Sequence, residues 1–126
     1  MHILKSGKKG VRRIIGAFFF SLAGLKACVS EEVSFRQILI VFVLFFIIAC
    51  FLGRDFFEIA FLVLPLFFMV FAELVNTAIE KIIDLVQPTF HPLARDAKDI
   101  GSSLQFVCML FAAFIWGGYL LVRFVL

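Results

Sequence analysis

The chain has 126 residues, of which 63% are hydrophobic, and its formal net charge is +3. A soluble domain of this length could not bury so much apolar surface, so the composition predicts one membrane domain over residues 1–126. The basic residues gather near the N-terminus, which favours attraction to a membrane surface over binding of nucleic acid. The three cysteines form no CxxC motif and are predicted to be small hydrophobic side chains.

The first predicted element is an amphipathic helix over residues 6–28. Ile14, Phe18 and Leu22 recur at helical spacing, whereas Arg13 falls on the other side. Basic residues beside an aromatic-rich apolar face are typical of a helix that lies in the membrane interface. A fourth transmembrane helix is the alternative, and the charged residues disfavour it.

Three transmembrane helices follow, over residues 35–52, 56–84 and 98–122, so the predicted fold is an all-α helix bundle. Gly53 begins the turn between the first two, and two prolines mark the loop "VQPTFHPLARD" before the third. Pro65 interrupts the second helix, where we expect neighbouring helices to satisfy the carbonyl that it frees. At about 1.5 Å per residue, the second and third helices are long enough to cross a bilayer.

The basic residues also predict the orientation of the chain in the membrane. All but two of the 12 lysines and arginines lie in residues 1–36 or 81–98. Cytoplasmic segments of membrane proteins carry such an excess of basic residues. The N-terminus and the loop before the third transmembrane helix are therefore predicted to be cytoplasmic.

A polar stripe runs along the second transmembrane helix, in "FAELVNTAIEKIID" (71–84). At 100° per residue, Glu73, Asn76, Glu80 and Asp84 fall within one narrow sector. A carboxylate in hydrocarbon is costly unless it is paired or neutralised, so the stripe is expected to face protein, a polar cavity or a bound ion. A helix end that simply leaves the membrane is the alternative, which fits Asp84 better than Glu73.

Two further charged segments are predicted at the same level of the membrane. "SEEVSFRQ" holds Glu31 and Glu32 before the first transmembrane helix, and "LARDAKDIGSS" places Lys98, Asp99 and Ser102 at the start of the third. A helix N-terminus with an adjacent lysine suits phosphate, although either segment alone could be an ordinary solvated surface. Together with the stripe they predict a magnesium–nucleotide site, because Mg²⁺ takes one or two carboxylates plus phosphate oxygens.

The residues of this pattern resemble a known family. "ELVNTAIEKIIDLV" and "FHPLARDAKDIGSS", with "GLKACVSEEVSFRQ" before them, resemble the signature of the small prokaryotic diacylglycerol kinases, and the likeness covers about residues 12–122. The resemblance implies a homotrimer in the bacterial inner membrane, with three transmembrane helices and one interfacial helix per chain. It also implies transfer of a phosphoryl group from ATP, with Mg²⁺, to the hydroxyl of diacylglycerol, which gives phosphatidate.

The resemblance also implies the roles of individual residues. Glu73 would be the general base, and Asn76 beside it would orient the reacting centre. The magnesium ligands would be Glu32 and Glu80. The ATP-binding residues would be Arg13, Phe20, Glu32, Glu80, Thr89, Phe90, His91, Lys98 and Asp99. The contacts with the lipid substrate would come from Arg13, Ser21, Glu73 and Ser102.

Two positions depart from the family's pattern. Phe20 stands where relatives often carry a tyrosine, so a hydroxyl contact is lost there. Asp96 replaces a residue that is commonly basic or small, and it adds negative charge near the expected nucleotide. Both departures concern local contacts and leave the implied activity in place.

Three other functions stay open from the sequence. Undecaprenol kinases belong to the same family and phosphorylate a polyprenol in place of diacylglycerol. A small proton-coupled transporter subunit could use Glu73 as a proton relay, but this would leave Glu32 and Lys98 unexplained. A purely structural membrane oligomer would have no use for the aligned stripe.

Overall fold

The computed structural model describes residues 10–126, and the elements found there are four α-helices. They are α1 (Val11–Glu31), α2 (Val33–Leu52), α3 (Phe56–Val86) and α4 (Pro92–Phe124). All four are long and apolar enough to cross a membrane. The prediction of an all-α, multi-pass membrane protein is therefore confirmed.

The chain divides into two compact units, residues 1–32 and residues 33–126. The described part of the first unit is α1, which has no buried residue. The hydroxyl groups of Ser21 and Ser30 donate to the carbonyls of Ala17 and Lys26, one turn earlier in the same helix. Because α1 also meets the length and hydropathy of a transmembrane helix, its position in the interface stays a prediction. Residues 6–9 of the predicted interfacial helix lie outside the described residues.

Aromatic side chains join the three helices of the second unit. The rings of Phe42 on α2 and Phe67 on α3 are 4.9 Å apart, in an edge-to-face arrangement. Edge-to-face contacts also join α3 to α4, through Phe68 and Phe111, and α2 to α4, through Phe45 and Trp116. This geometry is the favoured one for aromatic pairs. Each of the three helices therefore touches the other two.

The turn between α2 and α3 begins at Gly53. A Cβ atom at this position would collide with the side chain of Ile59, so only glycine lets the chain turn this tightly. Asp55 then caps α3, because its side chain accepts a hydrogen bond of 2.9 Å from the backbone N–H of Glu58. The turn predicted at Gly53 is confirmed.

A polar clasp, made of Leu52, Arg54, Glu58 and Tyr119, holds this turn against α4. The hydroxyl of Tyr119 donates to the Leu52 carbonyl at 3.0 Å and to Glu58 Oε1 at 3.2 Å. Arg54 forms an ion pair with the same carboxylate, with Nη2 at 3.0 Å from Oε1. Hydrogen bonding and charge attraction from Glu58 raise the pKa of Arg54 above its ordinary value. The clasp fixes which part of α4 lies beside the turn.

α3 continues through Pro65, which is fully buried. Proline has no N–H, so it removes the hydrogen bond that the Phe61 carbonyl would otherwise accept within the helix. The neighbouring helix supplies a donor at the next residue, since Trp116 Nε1 donates to the Leu62 carbonyl at 2.9 Å. This bond stabilises α3 near its interruption and sets the register of α4 against it.

His91 determines where α4 begins. Its Nδ1 accepts a hydrogen bond of 3.1 Å from the backbone N–H of Leu93, and Pro92 occupies the first helical position. The N-terminus of the helix therefore lies beside His91 and not beside Lys98, where the sequence pattern places the helix start. Lys98 is instead well inside the helix, and its side chain projects from the face that meets α3.

Candidate active site

The predicted stripe lies along one side of α3 and becomes more buried toward the middle of the helix. Asp84 is exposed and Glu80 is half-buried. Asn76 and Glu73 are only 8% and 6% exposed, which places an amide and a carboxylate in the interior of an apolar bundle. Asn76 Nδ2 donates to Glu80 Oε1 at 3.3 Å, so these two side chains are in direct contact.

α4 meets the stripe with residues spaced three and four positions apart, which share one face of a helix. Lys98 Nζ lies 2.6 Å from Asp84 Oδ1. Gln105 Nε2 donates to Glu73 Oε2 at 3.1 Å. We call this two-sided arrangement the polar ladder; its members are Glu73, Asn76, Glu80 and Asp84 of α3 with Lys98, Gly101 and Gln105 of α4.

Gly101 occupies the middle of the ladder, opposite Asn76. A Cβ atom at this glycine would stand 2.5 Å from Asn76 Oδ1, so any other residue would push the amide away. Asn76 Oδ1 is itself buried and has no hydrogen-bond partner among residues 10–126, and the same is true of Gln105 Oε1. Buried acceptors of this kind are uncommon and costly. Two of them in the ladder make it an unusual polar feature of an apolar helix bundle.

A cavity of about 260 Å³ opens beside the exposed end of the ladder. We call it the loop cavity, because the segment between α3 and α4 forms much of its wall. It is lined by Ile83, Asp84, Gln87, Pro88, Thr89, Phe90, His91, Ala94, Arg95, Lys98 and Asp99. Five residues predicted to bind ATP therefore surround one space, namely Thr89, Phe90, His91, Lys98 and Asp99.

Two cations face the loop cavity and remain accessible. The Lys98 side chain is 42% exposed although it is paired with Asp84, and that of Arg95 is 59% exposed. Arg95 Nη2 lies 3.3 Å from Asp96 Oδ1. Asp96 therefore engages a neighbouring arginine, which offsets the negative charge that this departure from the family pattern adds. Lysine and arginine are the side chains that bind phosphate oxygens most strongly.

The remaining predicted residues lie elsewhere. Arg13, Phe20 and Ser21 are exposed on α1, and Glu32 follows the last turn of that helix. These residues belong to the first unit, whereas the ladder and the loop cavity belong to the second. Ser102 is exposed on α4, next to the buried Gly101.

Sequence reasoning missed three features of the site: Gln105, Gly101 and the pairing of Asp84 with Lys98. A signal for Gln105 was present, since it is an isolated amide in the apolar run "LQFVCMLFAAF". It also stands seven residues after Lys98, which is two helical turns. Gly101 lies within the segment "FHPLARDAKDIGSS" that resembles the family, but its role could not be predicted because that role depends on the side chain opposite.

Comparisons with known proteins place this site in a family. The model of the family "Prokaryotic diacylglycerol kinase" matches residues 19–120, which include the whole ladder and the loop cavity. The diacylglycerol kinase of Helicobacter pylori strain J99 is 46% identical over 116 residues, which cover 92% of this chain and 91% of the relative. That of Pseudomonas aeruginosa PAO1 is 36% identical, with 91% and 94% covered. That of Escherichia coli K12 is 33% identical, with 85% and 88% covered. The chain therefore belongs to the prokaryotic diacylglycerol kinase family.

Proposed function

We propose that this chain transfers the γ-phosphoryl group of ATP, with Mg²⁺, to the free hydroxyl of diacylglycerol and so produces phosphatidate. The observation that supports this most directly is the polar ladder, which connects an exposed cavity bearing cations to a buried carboxylate. ATP is soluble in water, whereas diacylglycerol is dissolved in the bilayer. A reaction between them requires a site that both can reach. The ladder runs from the exposed loop cavity to the buried carboxylate of Glu73.

The loop cavity is the proposed site for the nucleotide phosphates. Lys98 and Arg95 supply positive charge, and the first turn of α4 adds the positive end of its dipole. Phe90 is 77% exposed, so its ring is accessible for stacking on an adenine base. Thr89, His91 and Asp99 line the same cavity and complete the proposed set of contacts on this unit.

Glu73 is the proposed general base. Its Oε2 is held by Gln105, and Oε1 receives no hydrogen bond from any side chain or backbone donor among residues 10–126. Oε1 is therefore available to accept the proton of the lipid hydroxyl while the hydroxyl oxygen attacks the γ-phosphorus and ADP leaves. We propose that Asn76, about one turn away on α3, orients the reacting centre.

We propose that magnesium is held by only a few carboxylates of the protein. No group of three or more histidine, cysteine, aspartate or glutamate side chains is placed to hold a metal ion within residues 10–126. Mg²⁺ commonly binds through only one or two carboxylates, with phosphate oxygens and water in the other positions. We propose Glu80 and Glu32 as these ligands. When bound, the ion would neutralise charge on the transferring phosphate, and Asn76 orients the Glu80 carboxylate through its hydrogen bond.

The residues of α1 and the assembly complete the proposal. We propose that Arg13 and Phe20 contact ATP, that Arg13, Ser21 and Ser102 contact the lipid headgroup, and that α1 lies in the interface. We propose a homotrimer in the inner membrane, with the N-terminus and loop cavity on the cytoplasmic side. The distribution of lysine and arginine supports this orientation. The many large apolar side chains exposed on the single chain, such as Phe67 and Phe71 on α3, agree with contacts to lipid and to neighbouring subunits.

The test is a lipid kinase assay on the purified chain in detergent–lipid micelles. Labelled ATP is supplied with diacylglycerol, with undecaprenol or with neither, and each arm is repeated with the Mg²⁺ chelated. We expect label in phosphatidate only where diacylglycerol and Mg²⁺ are both present. Label on undecaprenol alone would assign the chain to the other branch of the family. A separate measurement on the chain in sealed vesicles tests the transporter alternative. Proton flux without consumption of ATP would support that alternative and contradict the proposal.

A further inference from the structure

Gln105 has a bonding arrangement that the family resemblance does not assign. Its side-chain amide nitrogen lies 3.1 Å from Glu73 Oε2 and 3.1 Å from the backbone carbonyl of Met69. The two acceptors stand one turn apart on α3. Each is within hydrogen-bond distance of the amide nitrogen, so each can accept one of its two hydrogens. The amide therefore joins α4 to two successive turns of α3 at the level of the proposed base.

The Met69 carbonyl makes this contact rigid. A backbone carbonyl inside a helix is fixed by the helix itself, whereas a glutamate side chain has three rotatable bonds. The amide is thus located by an acceptor that does not move, and it in turn holds one oxygen of the Glu73 carboxylate. Among residues 10–126, the hydrogen bond from Gln105 to Oε2 is the one that holds this carboxylate, and the second oxygen, Oε1, is left for the substrate in the proposed reaction.

Only one orientation of the Gln105 amide is compatible with these neighbours. If the amide were reversed, its oxygen would face two other acceptors, the Met69 carbonyl and the Glu73 carboxylate, and like partial charges would repel. The observed orientation leaves Gln105 Oε1 buried without a partner. An amide donor also carries no charge, so it orients the carboxylate without neutralising it as a lysine or arginine would.

We propose that Gln105 is a positioning residue that holds the Glu73 carboxylate in its productive orientation by anchoring Oε2 to the backbone of α3. This inference rests on the proposed function, in which Glu73 is the general base. It predicts that loss of the Gln105 donor slows phosphoryl transfer and leaves the binding of ATP unchanged, because the loop cavity is formed by other residues.

The first test is Gln105→Met, which keeps the length of the side chain and removes both donors. We expect kcat with diacylglycerol to fall roughly 10- to 100-fold, the range for loss of a hydrogen bond to a charged group. KM for MgATP should stay within about twofold of the wild-type value. A fall in kcat accompanied by an equal rise in KM for ATP, or no fall in kcat, would overturn the proposal.

A second variant, Gln105→Asn, covers the case in which the methionine does not fold. It keeps the amide but shortens the side chain by one methylene, about 1.5 Å, so the donor no longer reaches Glu73. We expect the same selective fall in kcat. Wild-type kcat in a folded Gln105→Asn protein would contradict the proposal whatever the first variant does.

A double-mutant cycle separates positioning from general packing. Glu73→Asp moves the carboxylate out of reach of Gln105 while keeping a base with residual activity. Gln105→Met should then reduce kcat much less in the Glu73→Asp background than in the wild type, because the contact is already lost. Equal fold-losses in the two backgrounds would show that Gln105 acts independently of Glu73 and would overturn the inference.

A spectroscopic readout does not depend on activity. In protein labelled with ¹³C at glutamate Cδ, the Glu73 resonance is assigned by its absence in Glu73→Gln. It should shift in Gln105→Met and stay in place in Gln37→Met, which makes the same chemical change at an exposed position on α2. An unchanged Glu73 resonance in Gln105→Met refutes the inference. A wild-type enzyme that fails to phosphorylate the lipid refutes the proposed function while leaving the spectroscopic result to decide the Gln105–Glu73 contact.

Discussion

Two carboxylates of α3, Glu58 in its first turn and Glu73 near its middle, differ in their hydrogen-bond partners. Near the turn, Glu58 Oε1 accepts hydrogen bonds from Arg54 at 3.0 Å and from Tyr119 at 3.2 Å. Near the middle of α3, Glu73 is more deeply buried yet accepts a single side-chain hydrogen bond, from an uncharged amide. The carboxylate of Glu73, which is the more costly of the two to bury, therefore has the weaker hydrogen-bond donor.

Within the described part of the chain, buried polar atoms without a partner occur in both regions, and they differ in kind. The ladder holds two buried acceptors without partners among residues 10–126, Asn76 Oδ1 and Gln105 Oε1. Near the turn end, the buried atom without a hydrogen-bond partner among residues 10–126 is a donor, Arg123 Nε. The guanidinium of Arg123 lies 5.4 Å from the centre of the Phe124 ring, within cation–π distance. The two unpaired acceptors lie beside the buried carboxylate of Glu73, and polar groups of this kind in an apolar interior are often functional.

The largest expected effect comes from exchanging the two carboxylates for amides. Glu73→Gln removes the proposed base, so kcat should fall about 100- to 10,000-fold while thermal stability is retained. Glu58→Gln makes the same change in the polar clasp, where it weakens the ion pair with Arg54. It should lower the melting temperature and leave kcat near the wild-type value.

The measurements for this pair are lipid phosphorylation and thermal unfolding, both in the same detergent. The comparison fails if Glu58→Gln loses activity without losing stability, or if Glu73→Gln retains substantial turnover. Either result would mean that the degree of hydrogen bonding does not separate structural from functional carboxylates in this bundle.

A smaller effect is expected at the glycines of α4. Gly101→Ala places a methyl group against Asn76 Oδ1 and should displace the amide, which can cost up to about 100-fold in kcat. Gly117→Ala meets no atom within 4 Å among residues 10–126, so the better helix propensity of alanine should stabilise α4 by up to about 1 kcal/mol.

The same assay and unfolding measurement check both glycines. Wild-type kcat in Gly101→Ala would show that Asn76 need not lie where the ladder places it. A loss of stability in Gly117→Ala would show that a neighbouring subunit packs against this part of α4, which would sharpen the proposal of a trimer.

The smallest effect is expected at Trp116. Trp116→Phe keeps an aromatic ring against Phe45 and removes the hydrogen bond to the Leu62 carbonyl. The free energy of unfolding should fall by about 1 kcal/mol, the usual value of such a bond, and kcat should not change. A large loss of activity without loss of stability would extend the functional region to the turn end of the molecule.

The sequence predicted the parts of the site that depend on one segment at a time. Hydropathy and helical periodicity predicted that α2, α3 and α4 are helices and that Glu73, Asn76, Glu80 and Asp84 share one side of α3. The turn at Gly53 followed from local composition. These properties are set by residues within a few positions of one another, so a pattern in the chain is enough to find them.

The partners of the stripe could not be predicted in this way. The sequence pattern predicts that Lys98 contacts the nucleotide phosphates. The structure shows a contact that the pattern does not predict, an ion pair with Asp84 on the facing helix. The start of α4 at Pro92, set by the His91 cap, moved the helix N-terminus away from Lys98. Which residue of one helix faces which residue of another depends on the register between them, and that register has no signature in either segment alone.

The sequence by itself determined that this is a helical membrane protein with acidic groups placed along an apolar helix, because transfer of side chains from water to hydrocarbon is a property of each segment. Only the tertiary structure decided that Gly101 leaves room for the side chain of Asn76 and that Gln105 donates a hydrogen bond to Glu73. Those contacts depend on how Trp116, Tyr119 and the aromatic pairs set α4 against α3. They are decided by packing between residues far apart in the chain, where a shift of one residue would bring different side chains together.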